Sequence, residues 1–390
     1  MLTMDKHGVS EIDDTDVAQE PSSHTIRKER LSQKWTELRS SIYITMIRYK
    51  LFQMNQGVMY VEIQFLNIRF CKPDALTLVE LGYWPGTPSR PLVTFSFSFM
   101  DWMEALLLEC QVSVQDFSNA IEVYLQENIV QMPCSIYPVL IDTFEEYRHA
   151  KGNLRILDKI CDDSTRACFN SCPDSRMLTL SMDANFGLCR KKAASSSVHP
   201  PLSGSSMFLN QEEVDEYVSQ YVTYPTHNTE GCSEFLAGSA LRSQSRYSAL
   251  KETAVMGVVC RHEFPKCFLN LYHRERISYC VYLLKKLKDL YHNHSIELMY
   301  DIACLLVKHL FVFDRPTNVE SFEFAIPVFH AYGHTSQCQI IRNPRNITGF
   351  GLSDGEVVER LWSFLRRFSS MTKEMRPSHR VDVLTDALLY

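Results

Sequence analysis

Apolar residues alternate with small polar ones through Met177–Met182 (MLTLSM) and run on through Ala254–Cys260 (AVMGVVC), so both segments predict β-strands. At Ile277 the period changes. Ile277, Cys280, Val281, Leu284, Leu287 and Tyr291 fall at steps of three and four, predicting a helix from Arg276 to His292. A short strand is expected near Ile296–Tyr300, and a helix after Asp301. There the most apolar run, Ile302–Phe313, is broken by Lys308 and His309. It is far below the ~20 residues a bilayer demands, so it predicts a buried core helix, and no membrane partner is expected.

The first 160 residues have another rhythm. Residues 1–33 are polar and charged and are expected to form a disordered arm. Trp35 to Phe70 mixes helix and strand periods. A Pro-rich turn is expected over Gly82–Pro91 (GYWPGTPSRP). A helix then follows over Met100–Gln126, with Met103, Leu106, Leu107, Cys110, Phe117 and Ile121 at helical spacing. Residues 34–160 therefore predict an α-rich N-terminal region and residues 161–390 an α/β domain. At about 193–250 the pattern breaks (AASSSVHPPLSGSS and polar text after it), as in an insertion or long loop.

With 390 residues, 45% of them hydrophobic, the chain can bury a large core. A net charge of −6 argues against a generally basic nucleic-acid coat, so any DNA contact falls to a local patch. The 13 cysteines are an odd, scattered set, and the residues after Met1 are polar rather than an apolar leader. Reduced thiols in an intracellular compartment fit best.

Three acids stand out against this pattern. Asp183 ends the first predicted strand, Asp301 follows another, and Glu359 lies on an amphipathic helix (SDGEVVERLW). Carboxylates that a fold brings together can hold two divalent cations, the equipment for moving phosphodiesters. Ser353-Asp354-Gly355-Glu356 has the form of a capping box, with Ser353 as N-cap and Glu356 at N3. The apolar stripe Val358, Leu361, Trp362, Leu365 and Phe368 is centred about 120° from Glu359 and about 180° from Glu356. Glu359 is therefore the preferred third acid and Glu356 the alternative.

The strings around these acids carry a resemblance. TLSMDANFGLCRKK, TAVMGVVCRHEFPKCFLNLYHRERISYCVYLL, LMYDIACLLVKHL and FAIPVFHAYGHTSQCQIIRNPRNITGFGLSDGEVVERLWSFLRRF resemble, in order, the Kyakuja–Dileera–Zisupton (KDZ) transposases of fungi and other eukaryotes. IRFCKPDALTLVELGYWPGTPSRPLVTFSF is similar to the segment before that family's catalytic domain. The resemblance implies a ribonuclease-H-like core with an Asp, Asp, Glu triad, in which Asp183 is the first aspartate and Asp301 the second. It implies Mg²⁺ or Mn²⁺, transposon-end and target DNA, a homo-oligomer when active, and the nucleus. The related hAT transposases have their glutamate in a similar Glu-Arg pair, which favours Glu359. Three departures stand out: Ala184 where the family usually has glycine, Pro73 where it has the second cysteine of a Cys-x-Cys pair with Cys71, and an end at Tyr390 where it continues. An N- and C-terminally incomplete copy is therefore expected, with an inactive remnant as the alternative.

A second kind of metal is suggested by FHAYGHTSQC. His330, His334 and Cys338 are spaced by four, share one face if helical, and could hold zinc with Cys304, Cys260 or His262 as fourth ligand. Cys161, Cys168 and Cys172 form a weaker cluster. Candidate DNA contacts are Arg190, Lys191, Lys192, Arg342, Arg345 and Arg360, with Arg366, Arg367, Lys373, Arg376 and Arg380 beyond them.

Overall fold

The computed structural model describes residues 23–53, 63–65, 74–127, 135–157, 177–194, 199–221, 249–273, 276–313 and 321–390. The N-terminal part runs α1 (Ser23–Gln53), β1 (Ile63–Phe65), α2 (Ala75–Glu80), β2 (Tyr83–Pro85), β3 (Val93–Ser96), α3 (Phe97–Cys110), α4 (Val114–Glu127) and α5 (Tyr137–Leu157). From Ser23 onward the expected arm is helix, and residues 1–22 lie outside the described part. The expected turn at Gly82–Pro91 opens instead with a strand, because Trp84 has a core to enter. It pairs opposite Phe95, stacks on Trp35 at 5.9 Å, meets Tyr147 edge-on and donates to the Thr143 carbonyl at 3.0 Å. The helix expected over Met100–Gln126 is two helices. Gln111 turns left-handed (φ 53°) and ends α3.

The second part runs β4 (Met177–Asn185), β5 (Arg190–Lys191), α6 (Gln211–Gln220), β6 (Leu250–Glu252), β7 (Ala254–Cys260), β8 (Pro265–Leu271), α7 (Ile277–Leu290), β9 (Ser295–Tyr300), α8 (Ala303–Phe313), β10 (Phe322–Ala325), α9 (Val328–Ala331), α10 (Ser336–Ile341), α11 (Val357–Leu365), α12 (Ser369–Thr372) and α13 (Pro377–Leu389). Five strands form one mixed sheet in the order β10-β9-β4-β7-β8. β4 runs parallel to β9, and β9 to β10; β7 is antiparallel to both β4 and β8.

Side-chain alternation decides what each face of the sheet buries. Leu178, Leu180, Met182, Met256, Val258, Leu298 and Tyr300 join α7 and α8 in one core. Val255, Val259 and Phe268 point the other way, into a core with Val358, Trp362 and Leu365 of α11 and Leu384 of α13. The segment expected as an insertion is partly built into this body. Phe208 bridges to Phe268 at the sheet edge, and Val214 and Val218 of α6 enter the first core. None of the described helices is long and apolar enough to cross a membrane.

Candidate active site

Asp183 and Asp301 stand side by side at the same edge of the sheet. β4 and β9 are parallel with Met182 opposite Tyr300, and the residue after each of these is an aspartate, Asp183 within β4 and Asp301 just past β9. Alternation sends Thr179, Ser181 and Asp183 away from the core that receives Leu180 and Met182, toward the face covered by α11. Thr179 and Glu297 confirm this sidedness: the Thr179 hydroxyl donates to the buried Glu297 carboxylate at 2.6 Å.

Helix α11 closes the site from above that face. Trp362 Nε1 donates to Asp183 Oδ2 at 2.9 Å. Glu359, one turn earlier on the same helix, lies with Oε1 3.8 Å from His330 Nε2. Asp301 feels both of these groups. Burial pushes its carboxyl above the usual aspartate range; His330, the Ile302 N–H (2.7 Å from Oδ1) and His334 pull it back, and Glu359 raises it again. Positions 359 and 362 thus face the same site, as residues three apart on a helix share a face: Trp362 bonds Asp183, and the charge of Glu359 acts on Asp301.

Glu356 is not the N3 member of a capping box. The helix begins at Val357 after Gly355 (φ 87°), and the Glu356 N–H donates to Asp354 Oδ1 at 3.0 Å. Its side chain is half-buried rather than solvated. Burial raises its pKa, His330 and the Phe329 N–H lower it, and Oε1 has no hydrogen-bond partner. Both glutamates therefore flank His330, but of the two it is Glu359 that acts on Asp301.

The zinc candidates divide differently from their spacing. The chain is helical only over Val328–Ala331 and again over Ser336–Ile341, so His330, His334 and Cys338 share no helix face. His330 faces Glu359. Cys304 joins His334 and Cys338 in its place, all three buried and with their ligand atoms within 4.8 Å of one another. Among the described residues this is the trio drawn that close, and the three carboxylates are not. Cys260 pairs with Leu180, three steps along the sheet from the Asp183–Gly257 pair, and His262 lies beyond it, so neither is at this edge. Cys161, Cys168 and Cys172 lie outside the described residues.

With this geometry in view, a family model for the Kyakuja-Dileera-Zisupton transposase matches residues 176–389, more than half of the chain. The chain belongs to the KDZ transposase family. A second model, the CxC1-like cysteine cluster associated with KDZ transposases, matches residues 35–129. That stretch holds just two cysteines, Cys71 and Cys110. No curated protein and no solved structure matches the chain.

Several basic residues of this KDZ chain have partners within the chain, Arg190 and Arg380 in its interior and others at its surface. Arg190 is buried against Glu252, with Nη2 3.1 Å from Oε1. Arg380 is buried on Asn270 Oδ1 (2.6 Å) and the Leu188 carbonyl (2.8 Å). Lys191 pairs with Glu374, Arg360 with Glu263 and Asp354, and Arg367 with Gln111. Arg342 is half-buried on the Phe324 carbonyl. Lys192, Arg345 and Arg366 are exposed.

The residues that the sequence pattern does not single out are Trp362, whose place in an apolar stripe hides its indole N–H, and Glu297, an acid inside an apolar strand. The one legible signal is the second. A carboxylate flanked by Ile296 and Leu298 on a core strand needs a partner, and Thr179 is that partner.

Proposed function

We propose that this chain is a DNA transposase of the Asp/Asp/Glu type with a ribonuclease-H-like core, in which Asp183, Asp301 and Glu359 are the catalytic carboxylates. The observation that carries the reading is the pair of parallel neighbouring strands β4 and β9, whose last registered pair, Met182 and Tyr300, is followed on each chain segment by an aspartate, Asp183 and Asp301. The sheet order supports the same fold: the first strand lies centrally, the second and third extend to one side, and the fourth and fifth to the other.

The donor set suits Mg²⁺ or Mn²⁺. It consists of carboxylate oxygens, one of them on a carboxyl whose burial favours a partner cation. When bound, such cations activate the attacking water or DNA 3′-hydroxyl and stabilise the leaving oxygen. The chain's own part is to hold that set. Trp362 orients Asp183, the Ile302 N–H fixes Asp301, and α11 carries Glu359 in from the side. Exposed Lys192, Arg345 and Arg366 would neutralise phosphates without reading sequence. Transposon ends and target DNA are the proposed partners, with a homo-oligomer in the nucleus as the working form.

One observation favours a second reading, a DNA- or protein-binding remnant without chemistry. The cysteine-cluster segment holds two cysteines and has Pro73 two residues after Cys71. Plasmid nicking by the full chain with Mg²⁺ or Mn²⁺ tests the choice. Asp183→Asn and Asp301→Asn should each lower it by about a hundredfold or more. An unmutated chain that nicks with neither metal would establish the remnant reading.

A further inference from the structure

We propose that Cys304, His334 and Cys338 hold a zinc ion whose role is to fix the turn that carries Asp301. The ligands come from two stretches of chain. Cys304 stands in the first turn of α8, three residues after Asp301, while His334 and Cys338 flank the start of α10. All three are buried, and Cys304 Sγ lies 3.6 Å from His334 Nδ1. Zinc bonded tetrahedrally to sulfur at ~2.3 Å and nitrogen at ~2.0–2.1 Å separates two such atoms by about 3.6 Å. A lone Cys–His hydrogen bond could have the same length, but it would not bring in a second sulfur. Two thiolates and an imidazole are a soft donor set, suited to zinc and unsuited to the oxygen-seeking cations of the carboxylates. A fourth ligand, such as a water, would complete the tetrahedron.

The link to Asp301 is direct. The His334 ring donates a hydrogen bond to the Asp301 main-chain carbonyl, as the second ring nitrogen of a metal-bound histidine commonly does. Asp301 is thus held from both sides, by Cys304 along the chain and by His334 across space. His330, four residues before His334, stands on the Glu359 side of the same short segment. A bound zinc would therefore tie α8, α9 and α10 together around one aspartate. This last step rests on the proposed role of Asp301 in binding Mg²⁺ or Mn²⁺, whereas the zinc site itself does not.

The test uses the full chain, dialysed free of loose metal. Zinc content should fall by about one equivalent per chain in both Cys304→Ser and Cys338→Ser. It should be unchanged in Cys260→Ser and Glu359→Gln. Cobalt substitution should give a thiolate charge-transfer band that the two serine variants lack. Equal zinc in wild type and both serine variants would overturn the site. For the positioning role, Mn²⁺ affinity is read by electron paramagnetic resonance, before and after zinc is stripped with a chelator and again after it is restored. Stripping should weaken Mn²⁺ binding by about tenfold or more, and restoring zinc should recover it. Stripped protein with unchanged Mn²⁺ affinity and an unchanged circular dichroism spectrum would overturn that role. A zinc-loaded chain that binds no Mn²⁺ at all would sink the carboxylate site and leave the zinc site standing.

Discussion

The indole N–H of Trp362 donates to the carboxylate of Asp183 at 2.9 Å. The ring itself is buried, edge-on to Phe268 with centroids 6.0 Å apart, and close to Gly257, where an added Cβ would come within 3.0 Å of it. One side chain thus packs α11 onto the sheet through its apolar body and orients the acid on β4 through its polar edge.

Trp362→Phe should separate these two jobs. The apolar packing is largely kept and the donor to a carboxylate is lost, so stability should fall by about 1–3 kcal/mol in urea unfolding. If Asp183 is catalytic, Mg²⁺-dependent nicking should fall further than folding explains. An unchanged nicking rate in folded protein would show that the carboxylate needs no such orientation.

Glu359→Gln and Glu356→Gln should behave oppositely. The first removes a charge beside Asp301 and should lower nicking by orders of magnitude with little effect on folding. The second neutralises a carboxylate whose pKa burial raises. A raised pKa in the folded state means that its contribution to stability is full below the ordinary glutamate pKa and is lost as pH rises through the folded value. Glu356→Gln should therefore stabilise the protein at neutral pH and spare chemistry. The reverse ranking of the two in nicking would make Glu356 the third acid.

Arg190→Met should act through folding and not through DNA contact. It leaves the Glu252 carboxylate buried without its partner, at a cost of about 3–5 kcal/mol. The double variant with Glu252→Leu should recover much of that loss. A salt-dependent DNA affinity that drops in Arg190→Met while urea unfolding stays unchanged would restore the DNA-contact role.

His149 predicts a pH dependence. Burial, and then Arg39, lower its pKa from 6.5, and Asn153 Nδ2 donates to the ring at Nε2, 3.2 Å away. As pH falls the unfolded chain takes up this proton first, so the stabilisation is full above pH 6.5 and is lost below it. The drop in urea midpoint between about pH 7.5 and about pH 5.5 should be smaller in His149→Gln than in the unmutated chain. An equal drop would assign the acid sensitivity to other groups.

Much of this protein is local enough to be legible in its residue order. The periods of two and 3.6 mark β4, β7, β9, α7 and α8, because alternation and helical spacing reflect which face of each element is buried. They also mark Asp183 and Asp301 as acids beside these strands, although β4 runs on past Asp183 to Asn185, paired with β7 throughout. Spacing misleads where the chain departs from regular structure. His330, His334 and Cys338 share a face only if one helix spans them, and the break between Ala331 and Ser336 sends His330 to Glu359 and brings Cys304 in from α8. Arg190 and Arg380 read as surface cations because a sequence shows charge without its partner, and Glu252 and Asn270 are 62 and 110 positions away. By itself the sequence determined the α/β class and the family. Only the tertiary structure decided which groups meet, because parallel register and helix packing join residues more than a hundred positions apart, and no local periodicity records such a contact.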